Sequence, residues 1–148
     1  MTAHEVLEMQ RLTNKFVAPM VAACALGLGI SLAGCASTTT EGANDEALTL
    51  YEPAEQTLVR GSTNKILVMV DRDNIDGDLA VEILDLPSGV EVVEDNPRIP
   101  AGDRSATLTL HAAEDAELAS GHPVRIEVST ENGLRVAEWV EIDVVAQK

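Results

Sequence analysis

Two stretches of this chain carry residue types able to do chemistry. One is Leu32-Ala33-Gly34-Cys35, where a thiol follows small residues at the end of an apolar run. A cysteine thiolate is a nucleophile, and small residues before a cut let an extended backbone enter a protease cleft. The other is Asp71-Arg72-Asp73-Asn74-Ile75-Asp76-Gly77-Asp78. Its carboxylates are the hard oxygen ligands that calcium takes. An EF-hand loop wants acids at its first, third and fifth places and glycine at the sixth. With Gly77 placed sixth, Asp76 falls fifth, but Asp71 and Asp73 stand one residue out of step and no Glu falls twelfth. Arg72 adds a positive charge. The competing reading is a solvated loop that turns on Asp76-Gly77, with Asp78 beside it.

The other candidates are sparse. His4, His111 and His122 show neither His-x-His nor His-Glu-x-x-His spacing, and His111 takes an outward parity in its segment. Ser105, Ser120 and Ser129 are present, but none sits in a strand-turn-helix elbow with flanking glycines. No catalytic residue is assigned and the chain reads as a non-enzyme. Phe16, Tyr51 and Trp139 are the only aromatics. A sugar platform stacks rings on exposed aromatics, so only an exposed Trp139 would open that reading; packing against the sandwich edge is the alternative. Glycine-rich phosphate loops and stacking stripes are absent.

The positioning elements around Cys35 have a recognisable order. Arg11 and Lys15 precede an apolar segment from Phe16 to Gly34. Basic flank, apolar core and small residues before the cut are the three parts of a secretory signal. With Cys35 at its end and a Thr-, Gly- and acid-rich segment after it, the motif resembles a bacterial lipobox. The resemblance implies a lipoprotein precursor: a diacylglyceryl thioether on Cys35, cleavage between Gly34 and Cys35 by signal peptidase II, and acylation, commonly palmitate, of the new amino group. Residues 1–34 are then the signal peptide. The rival reading is a retained transmembrane helix, since about 20 apolar residues span a bilayer; Pro19, Gly27 and Gly29 weaken that helix. Glu5 and Glu8 cancel the positive charge of the first residues, so Met9 makes a cleaner start than Met1. One acyl chain holds a protein to a membrane only marginally, whereas two or three hold it stably. Ala36 after the cysteine, in place of Asp, implies the outer rather than the inner membrane in enteric-type bacteria. The implied location is the cell envelope.

The formal net charge is −15. Residues 1–34 hold Arg11 and Lys15 against Glu5 and Glu8, so the whole excess lies after them. Such a surface repels nucleic acid and anionic membranes. The two cysteines are Cys24 and Cys35; the first leaves with the signal and the second is lipidated. No thiol remains for a disulfide, a zinc site or a nucleophile, so the domain must hold by its core alone. The only cofactor-like group implied is the covalent lipid.

Residues 35–47 lack an apolar period and read as the lipidated cysteine and a flexible tether. From Leu48 on, short strands alternate with turn signals. Leu48 to Tyr51 alternates, and Glu55 to Arg60 reads as an edge piece. Lys65 to Val70 is a continuous apolar run, as in a strand buried on both sides or one contacting a neighbour. Leu79, Val81 and Ile83 share one face, as do Ala106, Leu108 and Leu110, and Val124, Ile126 and Val128. Val90 to Val92 is a short strand, Ala112 to Leu118 has room for one helical turn, and Leu134 to Val145 is the last strand. This spacing predicts an all-β antiparallel sandwich of seven or eight strands over residues 48–148.

Asn132-Gly133 is a strong hairpin signal. A two-residue loop pairs Ile126 with Trp139. A three-residue loop with Gly133 in a bulge is expected to pair Ile126 with Val140 and Val124 with Ile142. Glu138 then points inward beside Val128, so a bulge is expected at the turn or near Glu138 to Val140.

Together, Val70-Asp71-Arg72, Asp76-Gly77-Asp78-Leu79, Leu86-Pro87-Ser88-Gly89-Val90, Ile99-Pro100-Ala101-Gly102 and Ala106-Thr107-Leu108-Thr109-Leu110 resemble bacterial immunoglobulin-like domains. The resemblance spans about residues 48 to 145 and rests on turn and strand chemistry, which specifies fold rather than function. It implies no catalytic residue. It implies a structural or protein-interaction module, held to the membrane through lipid and facing an envelope protein partner. The alternative is a calcium- or carbohydrate-binding surface module.

Overall fold

The computed structural model describes residues 36–148. The signal segment 1–34, the Gly34–Cys35 cleavage point, lipidated Cys35 and the choice between Met1 and Met9 lie outside the described residues. Period-2 alternation dominates residues 36–148, and each strand buries one parity. The strands are β1 (Ser37–Glu41), β2 (Ala47–Tyr51), β3 (Gln56–Val59), β4 (Thr63–Asp73), β5 (Leu79–Leu84), β6 (Val90–Val92), β7 (Arg98–Ile99), β8 (Ser105–Ala112), β9 (Ala119–Ser129) and β10 (Arg135–Val145). They form two five-stranded sheets, β1-β2-β4-β8-β6 and β3-β10-β9-β5-β7.

Strands β2, β4, β8 and β6 occupy the A, B, E and D places of an immunoglobulin-like sandwich, and β5, β9 and β10 the C, F and G places. The chain is therefore an all-β, immunoglobulin-like sandwich. Its first long strand switches sheets: β2 pairs antiparallel with β4, and after Glu52 to Glu55 the chain continues as β3, parallel to β10. That parallel pair is the one departure from the expected antiparallel pattern. The inward parity is continuous from Leu48 and Leu50 through Ile66, Val68 and Val70 to Leu108 and Leu110. Leu79, Val81, Val124, Ile126, Val128, Val140 and Ile142 face them from the other sheet. Each buried aliphatic side chain of this size contributes on the order of 1.5–3 kcal/mol. No helical turn forms at Ala112 to Leu118; Ala116 N–H instead bonds Ala113 O at 3.1 Å in a loop.

Three expectations are corrected. First, the expected tether is folded over much of its length. Ser37 to Glu41 pairs residue for residue with Tyr51 to Ala47, and Thr39 Oγ1 lies 2.8 Å from Thr49 Oγ1. The turn between them is held by Asn74 Nδ2, which donates to Asp45 O at 2.9 Å, and by Asn132 Nδ2, which donates to Glu46 Oε1 at 3.1 Å. Threonine suits a strand, but a polar edge strand shows no apolar alternation.

Second, of the two readings of Lys65 to Val70, burial on both sides does not hold. Ile66, Val68 and Val70 are buried, while Leu67 and Met69 are 47% and 44% exposed.

Third, the β9–β10 loop has three residues, with Gly133 at φ +93°, as the bulged alternative requires. Thr130 N–H bonds Leu134 O at 2.9 Å across it. The pairing differs, however: Ile126 lies opposite Glu138, and Val124 opposite Val140. A three-residue loop shortens the register rather than lengthening it. Glu138 does take the inward parity, half-buried, at a level where β10 has no β3 neighbour. The further bulge falls between Ile142 and Val144, where Gly121 N–H donates to Asp143 Oδ1 at 2.7 Å.

Thr109 N–H donates to Glu94 Oε2 at 2.8 Å. That bond, ahead of all other causes, holds the Glu94 carboxyl below its ordinary pKa. A carboxylate with a lowered folded pKa stabilises above its unfolded pKa and loses that contribution as pH falls through the folded value. Glu94→Gln is expected to flatten this acid-side part of the stability curve, read from urea midpoints across the carboxylate range. A variant curve parallel to the wild type would contradict it.

Candidate functional site

The acidic stretch is organised around an arginine. Arg72 shares the parity of Ile66, Val68 and Val70, so its side chain leaves β4 at the end of the core. Its Nη1 donates to Gly77 O at 2.8 Å; its Nη2 donates to Asp103 O at 2.6 Å and Pro100 O at 3.2 Å. One guanidinium thus ties the β4–β5 loop to the β7–β8 loop. Asp78 adds a second tie by accepting the Ala101 N–H at 2.9 Å. Asp71 turns elsewhere, accepting its neighbour's N–H at 3.2 Å and facing Arg104 at 3.7 Å. Asp73 and Asp76 are exposed. Among the described residues, no group of three or more His, Cys, Asp or Glu side chains converges on one point. The loop carbonyls nearest the cluster are engaged by Arg72.

The histidines and serines form no hydrogen-bonded pair among the described residues. His111 Nδ1 lies 3.3 Å from Glu91 Oε1, and His122 Nε2 lies 2.9 Å from Asp85 O. Ser105 lies opposite Met69 in the β4–β8 ladder, and Ser129 opposite Arg135 in the β9–β10 ladder. Ser120 does share a groove of about 280 Å³ with His122, Ser88 and Glu117, but His122 Nε2 lies against Asp85 O and no His–Ser hydrogen bond forms among the described residues.

The outer face of the second sheet carries a charged cluster that sequence reasoning missed. Glu127 is 7% exposed. Arg125 Nη2 reaches its Oε2 at 2.8 Å and Arg135 Nη1 its Oε1 at 2.8 Å. Two cations are needed because Glu82 lies directly opposite on β5, where a like charge would otherwise repel. The signal was available: Arg125, Glu127 and Arg135 all have outward parity.

Trp139 is also on this face, and it is 53% exposed. The expectation that it packs into the sandwich edge is overturned, because its odd parity in β10 is the outward one. It stands opposite Arg125, which in turn faces Leu84 on β5. Trp139 lines a shallow groove of about 220 Å³ with Glu52, Pro53, Glu55, Pro123, Val140 and Glu141. A second groove, of about 390 Å³, shares Glu52 and Pro53 and is lined by Tyr51, Lys65, Leu67 and Met69. Both described aromatics therefore flank the crossover at Glu52 to Glu55. Past Tyr51, β2 leaves the sheet, and the β4 segment from Lys65 to Met69 loses its in-plane neighbour on that side.

No family model matches the chain, and no curated protein matches it. Among solved structures it is similar to a chimeric titin Z1Z2 functionalised with an exogenous peptide from decorin. That match has 17% identity and a TM-score of 0.41, covering 76% of this chain and 99% of that one. It is also similar to a mutant titin M10–obscurin like 1 Ig complex, at 14% identity and TM-score 0.40, covering 68% of this chain and 95% of that one. The strand order of the two sheets, rather than these likenesses, defines the fold.

Proposed function

We propose that the chain is the precursor of a lipid-anchored envelope lipoprotein. In this reading, its immunoglobulin-like domain serves a non-catalytic, structural or protein-interaction role on a bacterial membrane, the outer one in enteric-type cells. The observation that carries the reading is Leu32-Ala33-Gly34-Cys35 at the end of the apolar run. The engagement of Asp71 and Asp78 by backbone N–H groups, and of His122 Nε2 by Asp85 O, supports a role by surface rather than by reaction. The sandwich begins at Ser37, two residues after Cys35. Presentation of the domain is therefore close to the membrane, without the reach that a flexible tether would give.

The test is metabolic labelling with radioactive palmitate. Wild type is expected to carry label and to sediment with membranes; Cys35→Ala is expected to lose both. Label retained in Cys35→Ala would sink the reading.

Exposure of Trp139 specifically favours a second reading, a carbohydrate-binding surface module. A lone indole beside Arg125 and Glu141 is one stacking platform with polar flanks. Titration with soluble envelope oligosaccharides should then shift Trp139 emission saturably; an unchanged spectrum would dismiss it.

A further inference from the structure

The chain enters the sandwich at the crossover that separates the two grooves. Glu52 N–H donates to Ala36 O at 2.9 Å, and Glu52 lines both grooves. Cys35 is covalently joined to Ala36, so its Cα lies within about 3.8 Å of the Ala36 Cα. Ala36, the residue that follows the attachment point of the proposed function, is thus held at Glu52, between the groove of Tyr51, Leu67 and Met69 and that of Trp139. Acyl chains leave the membrane only as far as this one-residue leash allows. Tyr and Trp are the side chains that settle at the water–membrane boundary, with an apolar body and a polar tip.

We infer that the Glu52 to Glu55 edge of the sandwich, flanked by Tyr51, Leu67 and Met69 on the outer face of one sheet and by Trp139 on that of the other, meets the lipid headgroup layer edge-on, so that the domain stands on its membrane in a fixed orientation. The inference rests on the lipoprotein reading. The occupant is a zwitterionic lipid surface: Glu52, Glu55 and Glu141 line the same grooves with Lys65 as the one cation among their lining residues. These acids oppose an anionic surface and keep the contact at headgroup depth. The contact also accounts for the burial pattern of β4. Leu67 and Met69 are apolar at outward positions where Thr107 and Ser105, their partners on β8, are polar.

Trp139 is the only tryptophan in the chain, so its fluorescence reports on this edge alone. The experiment uses full-length protein extracted from membranes, checked for acyl mass, and reconstituted into phosphatidylcholine vesicles brominated near the head of the acyl chains. If acyl mass is present, the expected result is loss of most Trp139 emission to bromine, little quenching by aqueous iodide, and recovery of iodide quenching in Leu67→Ser/Met69→Ser. Acyl mass present with full iodide quenching and no bromine quenching overturns the orientation and leaves the anchor standing. Protection from both quenchers means that a protein, or a second copy of the chain, covers the groove, and it also overturns the inference. Absence of acyl mass overturns the inference together with the anchor.

Discussion

Replacing Arg72 with methionine is expected to destabilise the domain by roughly 2–3 kcal/mol, because hydrogen bonds to charged groups are worth about 1.5–3 kcal/mol each and water recovers part of the loss. Methionine keeps the aliphatic stem on the core but removes every donor. The carbonyls of Gly77, Pro100 and Asp103 then lose their shared partner. The two loops would remain joined only by Asp78 and the Ala101 N–H. For a domain of this size the change corresponds to roughly 10–20 °C in Tm. Arg72→Lys should recover less than half, since a compact ammonium lacks the planar fork needed to reach both loops. Urea unfolding decides the matter: a midpoint lowered at constant m supports it. A methionine variant within about 0.5 kcal/mol of wild type, the range of an ordinary surface change, would show that water already satisfies these carbonyls.

Gly89→Ala should be comparably damaging, by a different route. Gly89 has φ +81°, and a Cβ there would lie 2.7 Å from the Ala116 Cα. The left-handed conformation alone costs a non-glycine residue about 1–2 kcal/mol. The obstacle is also backbone, which cannot rotate aside, and Ala116 is buried. Moving the loop away would strain two bonds that dock it, Ala113 N–H to Gly89 O at 2.8 Å and Glu117 N–H to Ser88 O at 2.9 Å. Each is worth about 1 kcal/mol net, so a total on the order of 3 kcal/mol is expected. Gly102→Ala is the control: its φ is +82°, but nothing lies within 4 Å of the added Cβ. It should cost only the conformational part, about 1–2 kcal/mol. Equal effects at the two glycines would mean that the Ala113 to Glu117 loop yields freely.

Both positions show what the sequence can and cannot convey. Strands with one buried parity, such as Ala106-Leu108-Leu110, are legible because the period is local. The turn chemistry at Gly89 and Gly133 is legible for the same reason. What opposes a position across space is not. Lys65 to Val70 reads as buried on both sides or touching a neighbour, yet Leu67 and Met69 stand on the outward face of a two-layer sandwich, which no further layer covers among the described residues. Ser37 to Glu41 looks unstructured because its partner supplies the apolar face. Arg72 reads as a stray charge in an acidic loop until the Pro100 and Asp103 carbonyls arrive from about thirty residues away. Trp139, a lone aromatic, looks like core material, yet its outward parity follows from Val136, Val140 and Ile142 being buried. The surface that matters most here, the edge around Glu52 to Glu55, is assembled from β2, β4 and β10, so no single stretch announces it.

The most direct measurement of the central claim is the intact mass of the membrane-extracted protein, in wild type and in Cys35→Ala. The account expects a chain beginning at Cys35 and carrying diacylglyceryl and acyl mass, with both the cut and the added mass lost in the variant. An uncut chain that includes residues 9–34 and carries no acyl mass would contradict it, and the domain would then be held by a retained N-terminal helix.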